Sequence, residues 1–192
     1  MSTFEYDFRF LQAGVEELEH YLLSKEIYWL LVVSPEAGEP PYPRFTLGWL
    51  MLYRQRAAGL AKTAAQQQQL ERLGRQVDDL RARWRSAWGQ KAAQEFHARL
   101  MLWRDFMEEY RESPSANYDR YHYEVTRRVL LTLLAGDAAE ISHQDQEMLA
   151  GLDKILQADL AGEGFIFDPA LVEAFPRQTF WYLYGRLPKS TS

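Results

Sequence analysis

Four histidines, His20, His97, His122 and His143, bound the metal and acid–base chemistry open to this 192-residue chain. Glu17-Leu18-Glu19-His20 puts a carboxylate and an imidazole on one helical face. Di-iron bundles need two such Glu-x-x-His motifs and two further inward glutamates. Glu95-Phe96-His97, His122-Tyr123-Glu124 and His143 with Glu147 do not repeat the motif, and no His-x-x-x-His is present. Glu17 and His20 also flank the apolar stripe of Val15, Leu18 and Leu22 rather than joining it. No metal or other cofactor is expected.

His122 differs, because Tyr118, Val125 and Val129 set an inward helical face that includes it. Tyr118, Tyr121 and His122 are therefore the candidate lining of an internal polar pocket, which a helical-bundle enzyme or small-ligand binder would use. Arg120, Arg127 and Arg128 on the same helix could hold an anion. A tyrosine-rich core edge with one hydrogen-bonded histidine accounts for the same residues.

Covalent catalysis has little to draw on. The chain has no cysteine, no Gly-x-Ser-x-Gly and no glycine-rich phosphate loop with a Walker lysine. Glu16-Glu17 and Glu108-Glu109 are adjacent carboxylates, which point to different sides of a helix. The residue set leans away from an enzyme.

Candidates for partner binding are stronger. Leu70, Leu73, Val77, Leu80, Trp84 and Ala87 repeat at three- and four-residue spacing, an a/d-type seam. Leu73, Val77, Leu80 and Trp84, with Arg81 and Arg85 beside them, are the candidate partner-binding residues, and self-association through the seam is expected. Charge is segregated around it. Residues 44–91 carry ten Lys or Arg against three acids, +7, whereas residues 1–43 and 92–192 each sum to −6, giving the total of −5. Such asymmetry reads first as internal complementarity, a basic helix between acidic ones. Its alternative is a phosphate-binding stripe of Arg72, Arg75, Arg81, Arg83, Arg85 and Lys91, which the acidic flanks would oppose.

Helical elements must position these residues. Glu5 to Ser24 is amphipathic, with Ser2 and Glu5 spaced as a capping box. No proline occurs from Thr46 through Ser113. A single straight helix from Thr46 to Trp88 would span roughly 60 Å at about 1.5 Å per residue. That overhangs a compact domain whose radius of gyration is about 16 Å, so a bend is expected near Gly59 or Gly74. A helix end is predicted at Trp88-Gly89, a new start near Gln90 and a stop at Ser113-Pro114. Further helices are predicted from about Asn117 to Ala135 and from the Ser142 cap to Gly162, with short ones at Asp168-Pro169 and over Thr179 to Gly185.

The expected fold is all-α: one helical-bundle domain of five or six main helices with a long central helix or helical hairpin. Residues 34–45 form a Pro-rich crossover and residues 186–192 a flexible tail. Ile27 to Val33, the longest apolar run, has seven residues, against roughly 20 for a membrane span. It and Gly164 to Phe167 are the only strand-like pieces. Trp29 is expected to cap the core, while Pro40 and Pro43 match a Pro-x-x-Pro spacing formally. The N-terminus lacks a basic n-region. A cytoplasmic adaptor that binds a protein partner or itself, with no membrane contact and with nucleic acid as a further alternative, is the functional expectation.

Overall fold

The computed structural model describes residues 3–190, in which six main helices and one single-turn helix build an all-α domain. Helix α1, Phe4–Leu23, starts at Thr3, whose hydroxyl accepts from the Tyr6 N–H; the predicted cap, Ser2, lies outside the described residues. Asp7 and Phe10 to Leu22 give α1 its buried face.

Of the two expected forms, long helix or helical hairpin, the stretch takes the hairpin, and its turn follows directly after Gly59, one of the two expected bend positions. Helix α2, Leu47–Leu60, ends at Ala61, and α3, Ala64–Arg83, begins after Thr63. The turn needs neither glycine nor proline. Thr63 accepts from the Gln66 N–H while the Gln66 side chain returns to the Thr63 N–H, a reciprocal cap that satisfies two helix-terminal donors. α3 then runs back along α2 and parallel to α1, with Gln66 reaching Glu5 at 3.1 Å and Trp84 reaching Glu19 at 2.8 Å.

The break predicted at Trp88-Gly89 falls instead at Trp84 (φ −110, ψ 35), and α4, Arg85–Glu112, starts directly after it. Gly89 is inside α4. A β-carbon there would sit 2.9 Å from the Ala139 β-carbon, so glycine lets the 137–139 loop lie against the helix rather than ending it. The stop before Pro114 is as predicted, followed by α5, Pro114–Asn117, and a 3-10 turn over Tyr118–Arg120. Helix α6, Tyr121–Ala135, returns along α4, and α7, His143–Asp159, begins at the predicted Ser142 cap.

α2 is the central helix, packing on α1, α3, α4, α6 and the 3-10 turn Pro169–Ala174. The region after α7 is not wholly helical. Strand β1, Ala161–Phe165, pairs antiparallel with β2, Tyr184–Arg186, and Phe167, Phe175, Phe180 and Tyr182 fill the space beneath. Leu187 is buried and Tyr110 donates to the Pro188 carbonyl at 3.0 Å, so part of the predicted tail is packed; residues 191–192 lie outside the described residues. No helix among the described residues is long and apolar enough to cross a membrane.

Candidate interaction surface

Between α1 and α2 the chain makes an apolar knuckle. Its base is fixed from below. Tyr21 donates to the Ile27 carbonyl at 3.0 Å, and Lys91 reaches the Glu26 carbonyl and the Ser24 hydroxyl. Trp29 and Phe45 exchange two backbone hydrogen bonds, at 2.9 and 2.8 Å. Pro41 and Pro43 have no N–H to extend this pairing, so it stays at one rung.

The side chains of the run alternate. Trp29 and Leu31 pack against the core, whereas Leu30 is 73% and Val32 96% exposed, beside Leu23 at 56% and Tyr28 at 37%. These four are the majority of the seven large hydrophobics exposed among the described residues, and they fall within ten positions of one another. Scattered exposed apolar residues need no explanation, but a cluster of them marks an interaction site. The prolines beyond the knuckle lie against their own domain: Tyr6 donates to the Pro40 carbonyl at 3.2 Å, and Tyr42 stacks on Tyr6 at 4.6 Å.

Buried ionic groups hold this surface to the helices. Glu95 on α4 is fully buried. It accepts from the Thr46 hydroxyl at 2.5 Å, the Gly48 N–H at 2.9 Å and the Arg99 guanidinium at 3.3 Å. It thus caps the start of α2 from another helix, and burial pushes its carboxyl up against the opposing pull of Arg99. Arg99 lies 5.4 Å from the Tyr28 ring, which ties the knuckle to the same node. Burial also lowers Lys91. Asp7 pairs with Arg56 at 2.9 Å between α1 and α2, and burial pushes its carboxyl up to about 6 although Arg56 opposes the shift. Both Glu95 oxygens have protein donors, so the node fixes geometry and leaves no lone carboxylate for acid–base work.

The predicted partner-binding residues are split by the fold. Leu73 and Val77 are buried under α1 and α2, and Leu80 and Trp84 are half-buried. Arg81 pairs with Asp137, and Arg85 is exposed. The seam therefore faces mostly inward; Leu73 and Leu80 line the floor of a groove of about 630 Å³ between α1 and α3, and Leu70 lines another between α2 and α3. Pairs Arg56–Asp7, Arg83–Glu19 and Arg81–Asp137 join the basic middle of the chain to its acidic flanks. Arg72, Arg75 and Arg85 form no ion pair among the described residues.

The pocket expected around His122 is not formed by its predicted lining. Tyr121 is buried and donates to the Tyr182 carbonyl at 2.7 Å, Tyr118 is half-buried, and His122 faces outward beside the Asp119 carbonyl and the Tyr123 ring. The cause is local. Tyr121 opens α6 and bonds inward to Tyr182, whereas His122, one position on in the same first turn, reaches back to the Asp119 carbonyl of the preceding 3-10 turn. Among the described residues, no three His, Asp or Glu side chains gather as a metal site would require.

Glu95 with Arg99 is legible in the sequence as an acid-before-base i,i+4 pair beside the apolar stripe of Phe96, Leu100 and Trp103. The all-α bundle and its knuckle define a class of architecture and no more. Comparison of the chain with protein-family models, curated proteins and solved structures found no match.

Proposed function

We propose that this chain is a non-catalytic interaction protein whose docking element is the knuckle Leu23–Val32. The observation that carries the reading is the concentration of exposed Leu30 and Val32 on a base fixed by Trp29, Phe45 and Lys91. A rigid apolar projection loses little conformational freedom on docking, which is what an anchor residue in an interface requires. The surrounding charge favours protein over anionic lipid: residues 1–43 carry eight acids against Arg9 and Lys25. Affinity capture from the native host, run with the wild type and with Leu30→Ser/Val32→Ser, tests this. The variant keeps its helical signal and loses proteins that the wild type retains. Identical captured sets would remove the knuckle as the docking element.

A further inference from the structure

The knuckle leaves backbone groups as well as side chains without partners. Trp29 gives both its N–H and its C=O to Phe45. Successive residues of an extended chain direct these groups to opposite edges, so those of Leu30 face away from Phe45. From Leu30 through Ser34, no main-chain group has a hydrogen-bond partner among the described residues. The free edge is short, because the chain bends at Tyr28 and again at Val32.

We infer that the knuckle pairs with the knuckle of a second copy, antiparallel about a two-fold axis at Leu30. The inference rests on the docking reading above and names its occupant. A two-fold antiparallel contact is self-complementary: the Leu30 N–H of each copy meets the Leu30 carbonyl of the other. Centred there, Tyr28 faces Val32 of the second copy, an aromatic–β-branched pair of the favoured kind. Leu31 cannot serve as the centre, because its main-chain groups turn to the edge that Trp29 uses toward Phe45.

Charge selects the same stretch. Ile27 to Pro35 has no side chain charged at neutral pH, whereas the rest of residues 1–43 carries a net −6. Two copies meeting elsewhere on that acidic part repel, and here they do not. The bends at Tyr28 and Val32 stop the pairing after its central rung, which closes a dimer instead of nucleating a growing sheet. Four side chains fall short of a standard interface of roughly 1,200–2,000 Å², so the dimer is weak and concentration-dependent.

The lack of native cysteine makes a clean test. Across a hydrogen-bonded antiparallel pair the Cα atoms are about 5.5 Å apart, within disulfide reach. Leu30→Cys is oxidised mildly alongside Leu102→Cys, a control on α4 with an exposed side chain. Light scattering after size exclusion follows the wild type and Leu30→Asp/Val32→Asp over increasing concentration. The expected results are a covalent dimer for Leu30→Cys alone, and a wild-type mass rising above 22.5 kDa that the double variant does not show. Equal cross-linking of both cysteines, or a wild type that stays monomeric, overturns the pairing. If the wild type is monomeric while Leu30→Ser/Val32→Ser still loses a captured protein, the occupant is wrong and the docking reading stands. If that capture is also unchanged, both fall.

Discussion

Removing Glu95 should cost this protein a large share of its stability, and the geometry gives the size. In Glu95→Ala, the Thr46 hydroxyl, the Gly48 N–H and the Arg99 guanidinium all lose their acceptor inside the core. Each stranded buried group costs about 1–3 kcal/mol, and breaking a buried ion pair from one side about 3–5 kcal/mol. These overlap, because Arg99 keeps 11% of its side-chain surface in water and can relax toward it. A loss of about 4 kcal/mol is expected, against total stabilities of about 5–15 kcal/mol for single domains. Arg99→Met alone leaves Glu95 buried with two donors and costs less. The double variant should be more stable than the sum of the single losses predicts, by about 1–3 kcal/mol. Urea unfolding followed by far-ultraviolet circular dichroism measures all three. A Glu95→Ala loss below about 1 kcal/mol, or strict additivity, would refute the view of Glu95 as the acceptor that holds α2 to α4.

Two further outcomes follow from buried groups. Asp7 has its carboxyl pushed up to about 6 by burial, above its ordinary value of 3.8, so the folded state holds that proton more tightly than the unfolded chain. Wild-type stability relative to Asp7→Asn should therefore rise as pH falls from about 7 to about 4, by up to about 3 kcal/mol at 1.36 kcal/mol per pKa unit, and level off below; a difference that is flat with pH in paired denaturation curves would contradict this. Gly14→Ala should destabilise α1, although alanine gains about 1 kcal/mol over glycine in an open helix. Its β-carbon would lie 2.4 Å from Cε2 of the fully buried Phe45, and overpacking of that kind costs about 1–3 kcal/mol. Thermal melting decides the sign, and a raised Tm would show that Phe45 can yield.

Helix identity was largely legible because it depends on local chemistry. The stop at Pro114, the Ser142 cap and the Asp168-Pro169 start are each set by one or two residues, and the fold uses them as written. The α2–α3 turn falls just after Gly59, near an expected bend, but the cap that sets it is less legible: Thr63 with Gln66, and Gln66 is one of four consecutive glutamines that read as a solvated face. Glycine misled in the other direction. Gly89 looks like a helix end in sequence, but its value is space for Ala139, fifty positions away. His122 shares its helical face with Val125 and Val129, but it stands in the first turn of α6, where nothing covers it, and sequence spacing does not reveal which turns of a helix are covered. The knuckle was half legible. Its apolar run predicted burial, which holds for Trp29 and Leu31, but which alternate residues stay outside depends on how α4 approaches from below.

The central position of α2 has a consequence for how the protein is made. Its α1 and α3 contacts come from neighbouring sequence, so the first three helices can associate early in synthesis. The rest of its surface waits. Leu130 of α6 lies beside Gly48, and Gln55 donates to the carbonyl of Ala174 at 2.5 Å. Until those residues leave the ribosome, more than a hundred positions after α2 itself in the case of Ala174, an apolar side of the central helix faces water. During that interval the nascent chain is most exposed to misassociation.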